Sequence, residues 1–235
     1  MLSILIFSVE AVSAVAALAL VYSTVKPCKA SGVPFLLGIP AGFGLMTIAF
    51  ATNTLAFSVD LPAIGLLLGA IYLLTQTYGL VFLALTYARR TRLKFIGESV
   101  SIEFAIPSLI TVGVLAYVLT SASSTSLNSV PAGMDLSLRV VMALSALYMM
   151  YETGRNWSLT KRAGEGVVVV AFAFLLIEQL GFILAAGNLG DVAVFVGYEG
   201  RIVGLSVLIA VTYMGIKKGD FTTSLRRLGL TAPAH

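Results

Sequence analysis

Seven long apolar runs, parted by short polar gaps, divide the 235-residue chain and decide what it can fold into. A helix needs roughly 20 apolar residues to cross about 30 Å of hydrocarbon. Runs near 2–25, 33–57, 63–88, 98–120, 136–158, 166–187 and 192–216 meet that length. In lipid, backbone N–H and C=O groups must be paired inside the segment or in a closed barrel, so single runs of this length predict helices. Composition agrees: 58% of the residues are hydrophobic and 11% charged, with a mean hydropathy of +0.98. A water-exposed globule cannot hide that much apolar surface. The expected fold is all-α, a polytopic membrane protein whose seven transmembrane helices fill residues 1–216 and whose partner is the lipid bilayer.

No Lys or Arg precedes the first run, and it is too long for a signal-peptide core, so it reads as a mature helix. The longest gap, SASSTSLNSVPAGMD, is 15 residues, and the tail after 216 is 19. Function is therefore expected in the bundle, its short loops or a partner.

Lys and Arg in short loops set orientation. Lys26 and Lys29 follow the first run, and Arg89, Arg90, Arg92 and Lys94 follow the third. Arg155, Lys161 and Arg162 follow the fifth, and Lys217, Lys218, Arg226 and Arg227 follow the seventh. The alternate gaps hold Asp60, Asp135 and Asp191 but no Lys or Arg. Thirteen of fifteen positive residues thus share one side, which predicts a multi-pass protein of the cell membrane with its N-terminus outside and its C-terminus in the cytoplasm. The pI near 9.3 is this topology signal meeting anionic headgroups, and it predicts no nucleic-acid partner. Within the tail (217–235), Phe221, Leu225 and Leu228 recur on one face beside Arg226 and Arg227, predicting a short amphipathic helix on the inner surface. The lone Cys28 excludes an internal disulfide and reads as a spectator thiol.

Internal similarity suggests duplication. ALTY (84–87) closes the third run and AVTY (210–213) closes the seventh, an offset of 126 that also sets Tyr72 on Tyr198 and Thr52-Asn53 on Glu178-Gln179. ALALVYST (17–24) matches ALYMMYET (146–153) at offset 129. The pattern is three plus one plus three: repeat A (1–94), a linker helix (95–121) and repeat B (136–216), parallel because one linker helix reverses an odd triple. In helix count and topology this arrangement resembles the SWEET and PQ-loop transporters and the microbial rhodopsins. It departs from both in motif. No Pro-Gln dipeptide occurs, the prolines of the second run (Pro34, Pro40) are not repeated in the sixth, and the last run has lysine only at its cytoplasmic end. A retinal-binding opsin is therefore not expected.

The segment VGYEGRIVGLSVLIAVTYMGIKK (196–218) sets Glu199 and Arg201 two positions apart inside an apolar run. A charge at the bilayer centre costs at least about 2.5–3.5 kcal/mol, so such groups face a partner or a wet cavity. Residues two apart on a helix point about 200° apart, so these two address different neighbours. Arg201 needs an anion, and Glu10 or Glu178 lies at matching depth, in the outer half of the membrane. Glu199 is then left for a proton, a donor such as Gln179, or a ligand. Asn53, Gln76, Tyr78 and Tyr198 add neutral donors and acceptors at a similar level. Together these nine residues form either a small-molecule pocket or a hydrogen-bonded pin that fastens the bundle. A second layer, including Tyr22, Thr24, Thr86, Tyr151, Glu152, Thr153 and Tyr213, is expected nearer the cytoplasm.

His235 is the only histidine, so no haem, zinc or copper cofactor is expected, and no Ser-His pairing is possible within the spans. An enzyme is not expected. Two readings remain: a transporter for a small polar or charged solute, or a seven-helix receptor or accessory subunit relaying to a cytoplasmic partner. A second copy of the chain is a further candidate partner.

Overall fold

The computed structural model describes residues 2–31, 34–58, 62–92, 132–186 and 190–217, and all regular structure among them is helical. Six long helices result: α1 (Leu2–Ala30), α2 (Gly38–Ala56), α3 (Pro62–Arg92), α4 (Ala132–Thr160), α5 (Ala163–Leu184) and α6 (Gly190–Lys217), with a 3₁₀ turn at Pro34–Leu37. The expected spans 2–25, 33–57, 63–88, 136–158, 166–187 and 192–216 fall on these six. The expected span 98–120, with Glu103, Pro107 and the linker role, lies outside the described residues, as does the tail helix around 220–229. The helices α1, α3, α4 and α6 run past the apolar runs at their basic ends, because Lys and Arg are good helix formers. Pro27 sits inside α1 near that end, where Ser31 N still donates to its carbonyl at 3.1 Å. Pro40 is the third residue of α2, in a first turn whose N–H groups have no helical acceptor anyway, so it starts the helix and does not kink it.

Five of the six helices are long and apolar enough to cross a membrane. The exception is α4, whose apolar run is diluted by Asp135, Arg139, Glu152 and the polar stretch beyond. Burial is inverted relative to a water-soluble protein. Val15 is 68% exposed and Val192 75%, while Arg201, Glu10 and Glu178 are 0% exposed. Aliphatic groups outside and charges inside are what a lipid solvent selects, and the chain is a multi-pass membrane protein.

The helices close a ring in which each packs on the next and α6 returns to α1. Contact is extensive along α1–α2–α3 and along α4–α5–α6, and thinner at the seams α3–α4 and α6–α1. Glycines set two of the tight interfaces. A Cβ built on Gly42 would stand 2.8 Å from the Gly79 carbonyl of α3, and one on Gly181 would stand 2.8 Å from the Cα of Gly197 of α6. Only glycine lets backbones approach so closely. Gly200 and Gly204 press on α5 in the same way, so their small-residue spacing serves a contact within the chain. Leu20, Met46, Phe50, Leu80, Met142, Met149, Phe172 and Leu205 fill the interior between polar layers. Cys28 is buried at the end of α1.

Candidate functional site

Up-down alternation within each triple, with parallel neighbours at the seams α3–α4 and α6–α1, brings the first half of α1, the end of α2, the first half of α3, the end of α5 and the first half of α6 to one level. Arg201 stands eleven residues into α6, about 16 Å along its axis, and Glu10 eight residues into α1, about 12 Å. At this level the guanidinium of Arg201 becomes the centre of the bundle.

Its Nε donates to Glu178 Oε1 at 2.7 Å, and its Nη2 donates to the Tyr72 hydroxyl at 2.9 Å. Its Nη1 lies 2.7 Å from Glu10 Oε1. Each carboxylate oxygen is shared: Asn53 Nδ2 donates to Glu10 Oε1 at 2.8 Å, and Gln76 Nε2 donates to Glu178 Oε1 at 2.8 Å. Aromatic rings surround the cation, with Phe50 4.5 Å, Tyr198 5.1 Å and Phe182 5.6 Å from Cζ. Phe182 and Tyr198 meet edge to face at 5.1 Å. On its other side Phe182 carries Arg139 of α4 at 4.3 Å, and that arginine is bonded to Asp135 of its own helix at 2.9 Å. Every helix of the ring thus reaches Arg201 directly or through one aromatic ring.

Such burial is costly unless each charge is met by hydrogen bonds and an opposite charge. Here one guanidinium serves two carboxylates. Glu10 Oε2, Glu178 Oε2, Gln76 Oε1 and both amide atoms of Gln179 have no hydrogen-bond partner among the described residues. The arrangement therefore holds a cation firmly and keeps spare acceptors beside it.

Of the nine residues singled out by sequence, Glu10, Asn53, Gln76, Glu178 and Arg201 bond together, and Tyr198 covers the guanidinium with its ring. Gln179 is fully buried beside Glu178 in sequence but takes none of the cluster's hydrogen bonds. Tyr78 is half-buried and tilts against Phe82, with ring centroids 6.4 Å apart. Glu199 is exposed on the outward face of α6 and belongs to none of these contacts. The 200° step from Arg201 explains it: with one side chain turned to the axis, the other must leave it.

Sequence reasoning missed Tyr72, Phe50, Phe182 and the approach of Arg139. The signal was present in the helical repeat. Tyr72 precedes Gln76 by four residues, Phe50 precedes Asn53 by three and Phe182 follows Glu178 by four, so each shares a face with a residue already selected.

In the inner layer, Thr24, Thr86, Glu152 and Thr153 are buried, and the Tyr148 hydroxyl donates to Glu152 Oε1 at 3.2 Å. Tyr22, Tyr151 and Tyr213 face outward, 87%, 62% and 65% exposed, as membrane-interface tyrosines do. At the opposite end a crevice between α1 and α6 is lined by Leu5, Ile6, Asp191, Val194, Phe195 and Tyr198, so that Tyr198 both lines the crevice and covers Arg201. Compared with protein-family models, curated proteins and solved structures, the chain matches none.

Proposed function

We propose that this chain is a small-solute transporter of the cell membrane and that the Arg201 cluster is its solute centre. The reading has it cross seven times, N-terminus outside, with the basic gaps in the cytoplasm. One observation carries the proposal: a fully buried charged cluster, two acids to one arginine, in which Glu10 Oε2, Glu178 Oε2, Gln76 Oε1 and Gln179 Oε1 have no donor and Gln179 Nε2 has no acceptor among the described residues. A pin whose only task is to fasten helices gains nothing from surplus acceptors in hydrocarbon, since each unmet buried group costs about 1–3 kcal/mol. A solute bearing N–H or O–H groups gains from all of them.

Two features support movement around that centre. The seams α3–α4 and α6–α1 are thinner than the packing inside each triple, which suits repeats rocking as units. The crevice at Tyr198 opens at the end where Asp191 lies, the expected outer side. The receptor reading has one observation in its favour: Arg201 Nε and Nη2 are hydrogen-bonded and Nη1 stands in ion-pair contact with Glu10, so the cluster can hold itself closed.

Currents from liposomes reconstituted with the full chain, on a solid-supported membrane and challenged with panels of amines, amino acids, polyols and carboxylates, separate the readings. A solute-evoked current that disappears in Arg201→Lys supports transport. Solute-induced thermal stabilisation without current or uptake moves the function to a receptor. Neither response leaves a structural pin.

A further inference from the structure

We infer that the acid pair Glu10 and Glu178 carries one exchangeable proton between them, which deepens the transport reading by making the solute centre a cation-exchange centre. Charge counting leads there, using every described element packed on the cluster. α1 supplies Glu10; α2 supplies the neutral Asn53 and Phe50; α3 supplies Tyr72 and Gln76. α4 supplies Arg139, whose charge is met by Asp135 on the same helix. α5 supplies Glu178, Phe182 and Gln179, and α6 supplies Arg201 and Tyr198. With both acids ionised the fully buried set carries one uncompensated negative charge.

Like charges in one desolvated site do not both ionise. The two carboxylates pair with the same guanidinium, each through Oε1 at 2.7 Å, so they stand no farther apart than that group and two ion-pair contacts allow. Each keeps an Oε2 with no donor, and the carbonyl of Gln76, already bonded to Glu178 through Nε2, lacks a donor as well. Among the unpartnered atoms around the two acids acceptor oxygens outnumber donors, and protonating one Oε2 turns an acceptor into a donor and removes the excess charge. The step is a simple exchange: the carboxylic O–H breaks, the electron pair stays on oxygen and the proton leaves to water. A solute with a cationic N–H group can then take the proton's place without changing the charge of the cluster.

Infrared difference spectroscopy of the full chain in lipid nanodiscs reads this without any gradient, so its result is independent of whether flux is found. At neutral pH the wild type is expected to show one protonated-carboxyl stretching band. Because the proton answers a surplus charge, Glu10→Gln and Glu178→Gln are each expected to abolish the band, whichever acid bears it. Arg201→Gln, which leaves two acids without a counter-ion, is expected to raise it about twofold. Glu152→Gln, at the separate buried acid of the inner layer, is expected to leave it unchanged. Ammonium ion added at constant pH is expected to diminish it. A wild type with no band overturns the inference, as does a band that survives both glutamine variants or disappears with Glu152→Gln. A band indifferent to ammonium overturns the exchange with cations. Should one glutamine variant not fold, the other carries the test.

Discussion

Arg139 and Arg201 lie against the same phenyl ring, Phe182, yet they are held in opposite ways. Arg139 meets Asp135 four residues earlier on its own helix, and that carboxylate is about a quarter exposed. Arg201 meets Glu178 and Tyr72 across sequence separations of 23 and 129, together with Glu10 from the first helix, all deeply buried. A pair at i,i+4 can form on an isolated helix and asks nothing of the fold. A guanidinium whose partners come from three other helices is satisfied only when the ring is closed. The first arginine finds its counter-ion within its own helix, and the second specifies the assembly.

Removing each arginine should expose that difference. Arg201→Ala leaves two buried acids without a counter-ion and is expected to cost about 3–5 kcal/mol, the range for breaking a buried pair. Thermal unfolding of the purified protein in detergent should show the largest fall of any variant here. Gly181→Ala is expected to cost about 1–3 kcal/mol, because its Cβ would meet the Ala193 carbonyl at 2.7 Å and wedge α5 from α6. It should loosen Glu178 from Arg201 while leaving the Asp135–Arg139 pair intact, which a double-mutant cycle with Glu178→Gln would detect as coupling. Arg139→Ala is expected to cost less than Arg201→Ala, about 1–2 kcal/mol: the arginine is itself buried on Phe182, but the carboxylate it leaves behind is about a quarter exposed. A drop as large as that of Arg201→Ala would erase the distinction. Glu199→Gln, two positions from Arg201 but facing outward, should stay within about 0.5 kcal/mol and leave any solute current unchanged.

The helices were legible because lipid makes length and hydropathy nearly sufficient; the run near 166–187 and the helix Ala163–Leu184 are the same signal, offset by three residues. α4 was legible by its spacing and loops although its polar residues keep it below the apolarity of a typical span. The site was legible in part. An intramembrane charge announces itself, so Glu10, Glu178 and Arg201 could be paired from depth alone. What depth does not give is rotation. Nothing in an all-round apolar helix marks which face looks inward, and so Glu199 and Tyr78 were selected alongside Asn53 and Gln76. Tyr72 went unselected because a tyrosine in a membrane helix is ordinarily an interface residue; only its partner Arg201 defines it as a buried acceptor. Phe50 and Phe182 carry no polar label at all.

The glycine contacts carry one more implication. Where Gly42 meets Gly79, flanked by Leu83 and Met46, and where Gly181 meets Gly197, main chain comes close to main chain. Each hairpin is thereby stiffened into a leaf, and any breathing of the molecule is directed to the joints between leaves. Arg201 bonds across both divisions, to Glu10 and to Tyr72, and so ties the leaves to each other at the one level where their charges meet.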